Sequence, residues 1–301
     1  MKILYYTNTE YAWNVQGTTR SIAEEVAARG HTVKIISRNE TRFILQHIDS
    51  FKPDVVWLAS SNITIETFKD KIKIPVIGFG FSDPYIFTAK RFKSYDIYVT
   101  NHEETMKKHS SEIPMIYNPT ACDLKFHKDM ELPKTINISC FGTLNHPRFK
   151  DRKMRPKVVN KLRNDGLSVD TYGDGWISLG GIQDHKAIYG REFLNIINKS
   201  KIGIDLQDPE APLAHRMLEY GACGTPCITR DRPEIYNLFT KDEILTYTDY
   251  EDLKDKLKYY LSHEEELKKF GQRLKDRCRK DHNITNRIDH LLKELKKICL
   301  N

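Results

Sequence analysis

The stretch His215-Arg216-Met217-Leu218-Glu219-Tyr220-Gly221-Ala222-Cys223-Gly224-Thr225-Pro226 sets an arginine and a glutamate three residues apart, ahead of a Gly-Thr-Pro turn and a buried-strand pattern, Cys227-Ile228-Thr229. On a helix this spacing puts both side chains on one face. A carboxylate so placed accepts hydrogen bonds from two vicinal hydroxyls, and a guanidinium beside it forks onto phosphate oxygens. The plainer reading is an i, i+3 surface pair worth about 0.2–0.5 kcal/mol. Further up the chain, Arg148, Lys150, Arg152, Lys153, Arg155, Lys157, Lys161 and Arg163 face a single acid, Asp151. A diphosphate needs fixed cationic donors of this kind, although several of the eight must lie on a solvated helix face. In the N-terminal part, Gln16-Gly17-Thr18-Thr19 falls where a first strand turns into a first helix, and helix N-terminal amides there suit an anion. Thr18 or Thr19 also reads as a simple N-cap. Asp83, between Ser82 and Pro84, is a candidate general base or acceptor contact, or a turn-forming residue. His102, just past a strand ending at Thr100, is a further candidate.

These residues need elements to hold them. Short β-branched or aromatic runs alternate with helical periodicity from the first residues, the pattern of parallel sheets covered by crossover helices. Strands are expected at 3–6, 33–36, 55–58, 76–79, 97–100 and 115–117, and the series restarts at 136–141, 169–172, 202–206, 226–229 and 244–247. Helices are expected at 19–29, 156–164, 192–198, 213–222 and 234–239, and almost continuously from Tyr250. Residues 118–133 follow neither period and are rich in turn formers. The expected fold is α/β, with two Rossmann-like domains, an interdomain cleft and C-terminal helices. Its parts are an N-terminal domain at 1–120, a linker at 121–134, a C-terminal domain at 135–280 and a final helix at 281–301 that packs back on the first domain. Ligands belong outside the carboxyl ends of such strands.

Composition narrows the function. The chain has 301 residues, 39% hydrophobic and 30% charged, with 48 Lys+Arg against 41 Asp+Glu. That excludes disordered and collagen-like chains and gives an ample core without disulfides. No run approaches the roughly 18 apolar residues of a membrane span, and a strand pattern starts at Lys2, so a cytoplasmic protein without a signal peptide is expected. The six cysteines are scattered with no Cys-x2-Cys spacing, which favours free thiols over a metal site. No Walker pattern is present, and no Asp-x-Asp pair stands at a strand end in a metal-site setting. The net charge is +7, and the eight-to-one balance of residues 141–163 equals the whole excess. Such concentration favours a compact anion over an extended polyanion.

The block from Arg216 to Pro226 resembles the nucleotide-sugar site of GT-B glycosyltransferases, in which a Glu precedes an Ala-Cys-Gly-Thr-Pro turn. More closely, the chain is similar to the CgeB-like (spore maturation protein) glycosyltransferases. This likeness rests on Phe81-Ser82-Asp83-Pro84, Tyr95 to Thr100, Asn118-Pro119, Phe141-Gly142-Thr143-Leu144, Tyr172-Gly173-Asp174-Gly175-Trp176, the 216–226 block and Tyr247 to Leu253. The resemblance implies a glycosyltransferase of the hexosyltransferase kind, retaining and metal-independent. It implies no cofactor beyond the donor, a nucleotide diphosphate sugar; the acceptor, whether glycan, protein, lipid, small molecule or modified DNA, is left open. By position, Glu219 would hold the ribose hydroxyls and Arg216 would lie toward the diphosphate, with His215 also among the donor-binding residues. Gly142 and Thr143 would form the loop whose amides approach phosphate, and Arg152 and Arg155 would be its cations. Gly173, Gly175 and Trp176 would lie beside the nucleobase. Gln16, Gly17, Thr18, Asp83 and His102 would serve an acceptor-binding N-terminal domain. Many retaining members carry a second Glu eight residues before the first; that position is Ala211 here, with Glu210 next to it. Two rival readings share the fold: a nucleotide-sugar epimerase or hydrolase, and a DNA-modifying glycosyltransferase acting on a modified base.

Overall fold

The computed structural model of the protein describes residues 1–7, 18–59, 69–80, 92, 94–144, 153–207 and 213–300, without the side chains of residues 18, 19, 38, 39, 41, 299 and 300. Gln16, Gly17, Asp83, Arg148, Lys150, Arg152, Glu210 and Ala211 therefore lie outside the described residues, as does the side chain of Thr18.

Two compact units divide the chain, Met1–Thr120 with Ile284–Asn301, and Ala121–Asn283. In the first, β1 (Lys2–Thr7), β2 (Thr32–Ser37), β3 (Val55–Leu58), β4 (Val76–Gly80), β5 (Ile97–Thr100) and β6 (Met115–Tyr117) form a sheet of order β2-β1-β3-β4-β5-β6. All pairs are parallel. Every residue of β3, β4 and β5 is buried, as expected of parallel strands covered on both faces, and this is why they read as unbroken apolar runs. Tyr5, Trp57 and Phe79 pack ring to ring on one face, 5.2–6.5 Å between centroids. Helix α1 (Thr18–Ala28) buries Ala23 and Val26, and the chain turns at Gly30 with φ +80°. Helices α2 (Ile44–Phe51) and α3 (Glu103–His109) were not evident in the sequence pattern. Helix α3 is one of the short ones that caps and charges carry: acids fill its first turn and Lys107, Lys108 and His109 its last.

The second unit holds β7 (Ile136–Phe141), β8 (Val169–Tyr172), β9 (Ser200–Asp205), β10 (Cys227–Arg230) and β11 (Leu245–Tyr247) in a parallel sheet of order β11-β10-β9-β7-β8. Helices α4 (Met154–Asn164), α5 (Gly190–Lys199), α6 (His215–Ala222), α7 (Tyr250–Ser262) and α8 (Glu264–Asp281) belong to it. The helix expected at 234–239 is a 3-10 turn, Pro233–Asn237, whose five residues are too few for a stable α-helix. Helix α9 (Ile284–Leu300) returns to the first unit and packs on α1. There Arg29 bonds Asp289 at 2.6 Å and the Thr285 carbonyl at 3.1 Å.

The stretch 121–134 is tied into the second unit. The Asn198 side chain accepts from the Met130 amide at 2.7 Å and donates to the Lys128 carbonyl at 3.0 Å, and Lys275 pairs with Asp129 at 2.8 Å. In both sheets the strand order reverses beside the first strand, between β1 and β3 and between β7 and β9. Open parallel sheets bind ligands outside the carboxyl ends of strands at such a reversal. In the second unit, those ends are Phe141-Gly142 and Asp205-Leu206.

Candidate functional site

The loop leaving β7 is shaped by close backbone packing. A Cβ on Gly173, whose φ is +144°, would collide with the Gly142 carbonyl, so only glycine lets the loops after β7 and β8 touch. The Leu144 amide then bonds the Asp174 carbonyl at 2.7 Å, and Gly142 N–H donates to the Tyr172 carbonyl at 2.9 Å. Gly175, at φ +90°, turns the second loop. Trp176 departs from the nucleobase-side expectation: its indole is fully buried and donates to the Gly142 carbonyl at 2.8 Å. A buried indole offers no face to a base, so its part is to fix the loop.

Arg155, in the first turn of α4, reaches this loop from below; a Cβ on Gly142 would lie 2.6 Å from its guanidinium. Of the other described members of the basic cluster, Arg163 is spent on the Val169 carbonyl and Asp184. Lys161 lies over the Tyr250 ring at 3.6 Å and pairs with Glu251 at 3.2 Å. Lys153 and Lys157 are exposed. Among the described residues the basic cluster thus resolves into one cation aimed at the glycine loop, Arg155, and several structural or solvated ones.

Helix α6 brings the second half of the site. Arg216 NH1 donates to Glu219 Oε2 at 2.7 Å, and its guanidinium lies over the rings of Phe141 and Phe193, at 5.0 and 4.9 Å. This is no surface pair: the Glu219 side chain is 4% exposed. Pairing with Arg216 and stacking on aromatic faces are what make such burial tolerable. Phe141 joins the Tyr172 ring at 4.9 Å, which in turn stacks on His185 at 4.5 Å. His215 opens α6 and bonds the Ala121 backbone; burial pushes its imidazole below the usual range against the pull of Glu219. It stands beside Glu219 and is neutral near pH 7.

Sequence reasoning did not single out Asp205, Phe193 or His127, and it quoted Phe141 within a motif without giving it a part in the site. Asp205 ends β9 at the strand-order reversal, buried, with the Thr229 hydroxyl donating at 3.4 Å. Burial pushes its carboxyl above the usual range, opposed by Arg155 and Arg216. The β-branched run marked β9, but nothing in the sequence says that its last residue lies in the electrostatic field of Arg155 and Arg216. His102 also departs from expectation. Its ring is 8% exposed and caps α3, accepting from the Thr105 amide at 3.3 Å with its Nδ1 2.9 Å from the Thr105 hydroxyl. Among the described residues no three His, Cys, Asp or Glu side chains converge on a point that would hold a metal ion.

The structure thus gathers Gly142, Arg155, Gly173, Asp205, Arg216 and Glu219 around the carboxyl ends of β7 and β9. Residues 152–293, just under half of the chain, match the family model described as glycosyl transferase-like. That domain, on a double Rossmann-like fold of the GT-B type, makes the chain an enzyme of the glycosyltransferase class. Among solved structures it is similar to sucrose-phosphate synthase from Thermosynechococcus elongatus, with a TM-score of 0.73, 12% identity and coverage of 99% of this chain and 100% of that one. It is likewise similar to a glycosyltransferase from Rickettsia africae, with a TM-score of 0.73, 13% identity and coverage of 100% and 99%. The Anabaena protein HepE, solved with UDP-glucose, gives a TM-score of 0.71 at 10% identity over 99% and 100% of the two chains. At these identities the likeness establishes the fold. No curated protein matches the chain by sequence.

Proposed function

We propose that the protein moves a sugar from a nucleoside diphosphate sugar to an acceptor, as a hexosyltransferase that retains the anomeric configuration and needs no metal ion. The observation that carries this reading is the buried Arg216–Glu219 pair, held on α6 next to the glycine loop after β7. Glu219 keeps lone pairs for two ribose hydroxyls after Arg216 has taken one. Arg216 keeps most of its five N–H groups for the diphosphate. The Gly142 amide is spent on the Tyr172 carbonyl, so in this loop it is the Thr143 amide that would meet a phosphate oxygen, and Arg155, whose guanidinium fills the place of a Gly142 side chain, adds charge beside it. These donors are fixed before the reaction, so they stabilise the charge that develops on the departing diphosphate as the sugar–phosphate bond breaks. In a retaining displacement on one face, the leaving phosphate oxygen takes the acceptor proton, and no separate strong base is required. HepE was solved with UDP-glucose, which supports a donor of this class here.

Membership in the CgeB-like group belongs to the same proposal, as does a cytoplasmic location. The five described cysteines are free and buried, which suits a reducing compartment, and among the described residues no helix is long and apolar enough to cross a membrane. The acceptor is a glycan, protein, lipid, small molecule or modified DNA base. The test incubates the full-length protein with a panel of nucleotide diphosphate sugars, with and without EDTA, and reads nucleoside diphosphate release. Anomeric protons of the product are then read by NMR. Turnover of one donor in EDTA with the anomer kept supports the reading. No binding or turnover across the panel overturns it, and so do Glu219→Gln and Arg216→Ala variants with unchanged donor affinity.

A further inference from the structure

His127 lies in the stretch between the two sheets that the sequence presents as a connector, yet its side chain is 3% exposed and its Nε2 has no hydrogen-bond partner. That nitrogen stands 3.9 Å from Glu219 Oε1, on the oxygen that Arg216 leaves unused. The other ring nitrogen is committed: Nδ1 accepts from the Asp123 amide at 3.1 Å. An accepting Nδ1 in a neutral ring puts the proton on Nε2, so an N–H faces the carboxylate. Burial keeps the ring neutral by pushing its pKa below the usual histidine range. The ring is held by a tight turn in which the His127 amide donates to the Asp123 carbonyl at 2.6 Å and the Lys125 amide to Asp123 Oδ1 at 2.9 Å. A gap of 3.9 Å is too long for a hydrogen bond, so in this structure the Nε2–H faces Glu219 Oε1 across a short polar gap. An orphaned buried donor facing a functional carboxylate calls for such a purpose.

We propose that His127 is a positioning residue, whose Nε2–H steers the Glu219 carboxylate so that its free lone pairs meet both ribose hydroxyls of the donor. The inference rests on the reading of Glu219 as the ribose-binding residue. Two substitutions separate the roles of the two ring nitrogens. His127→Asn keeps an acceptor near the Nδ1 position for the Asp123 amide and loses the far donor. His127→Gln places an N–H near the Nε2 position and loses the acceptor.

The probes are UDP, ADP, GDP and CDP with their 2′-deoxy counterparts, titrated calorimetrically into the full-length protein and both variants, alongside melting temperatures. The wild type should prefer one ribonucleotide over its deoxy form by about tenfold or more, the worth of a hydrogen bond to a charged group. His127→Asn should cut that preference to about a third or less, and His127→Gln should retain it. A purely structural histidine gives the reverse order, with His127→Asn like wild type and His127→Gln impaired, and that result overturns the proposal. A wild type that binds none of the probes, or that binds both forms of each equally, overturns the reading of Glu219 and this inference with it. Preference in the wild type that survives in His127→Asn overturns the inference alone.

Discussion

Glu219 is a carboxylate that the fold can bury only because Arg216 meets it, and the two must be judged together. Their spacing was legible in the sequence, since i and i+3 share a helix face whatever the tertiary structure. What spacing did not reveal is that the face turns inward, because Phe141 and Phe193, over whose rings the guanidinium lies, come from a strand and a helix far away in sequence. The same holds for Asp205, which gains meaning from Thr229 on the next strand, and for His127, which gains it from Glu219 on α6. Arg216→Lys should be as damaging as a larger change. A lysine keeps the charge but loses the planar fork and the stacking on two rings. The expected loss in donor affinity is about tenfold or more, and it should appear by calorimetry with the nucleotide the panel selects. Glu219→Gln keeps the shape and removes the charge, so its melting temperature should move little while donor affinity falls by a similar factor. If Arg216→Lys binds donor as well as wild type, the stacked fork is irrelevant to the ligand.

At the scale of elements, the loops after β7 and β8 form one device, read in the sequence as two glycine-containing motifs but not as partners. The restriction is visible only in space: Gly173 abuts the Gly142 carbonyl, and Trp176 bonds that same carbonyl from the core. Gly173→Ala should force the loops apart and strain a left-handed backbone position, costing about 1–3 kcal/mol and lowering donor affinity. Thermal melts in the presence and absence of nucleotide diphosphate would show both effects, and a wild-type melt with wild-type affinity would count against the packing argument.

Strand β8 is pinned from its other side. Asp184 accepts from the Thr171 amide and hydroxyl, both at 2.7 Å, and pairs with Arg163. Burial raises its pKa, but these donors outweigh burial and hold the carboxyl below its usual 3.8. A carboxyl depressed in the folded state stabilises above its unfolded pKa, and that part is lost as pH falls through the folded value. Stability from this anchor should therefore be complete at pH 5 and above and fade below about pH 4. Asp184→Asn should cost about 1 kcal/mol at neutral pH, the low end for charged hydrogen bonds because the side chain is partly solvated. The variant should also flatten the acid limb of a melting temperature against pH series relative to wild type. An unaltered acid limb would show that the anchor does not titrate.

At the scale of the whole molecule, the two sheets announced themselves because strands of a covered parallel sheet leave short apolar runs, and eleven such runs sat close to where the eleven strands lie. Strand order left no such trace. Pairing of β7 with both β8 and β9 is fixed by crossover packing, not by any residue pattern, and it is this order that puts the reversal, and hence the ligand position, at the ends of β7 and β9. The short helix α3 and the clasped stretch 121–134 were equally silent, since one depends on caps and the other on partners such as Asn198 and Lys275. The division into units carries its own expectation. A ligand that binds only the folded state at 100 times its Kd adds about 2.7 kcal/mol, and the gain is largest where contacts are made. Saturating nucleotide diphosphate should therefore slow amide exchange chiefly at residues 139–144, 171–176, 203–207 and 213–220, with strands β1 to β6 changed least. The segments are contiguous with the ends of β7, β8 and β9 and with α6, so a single exchange experiment on the full-length protein reads all four at once. Protection gained mainly in β1 to β6 would move the donor site to the first unit and remove the Arg216–Glu219 pair from its role.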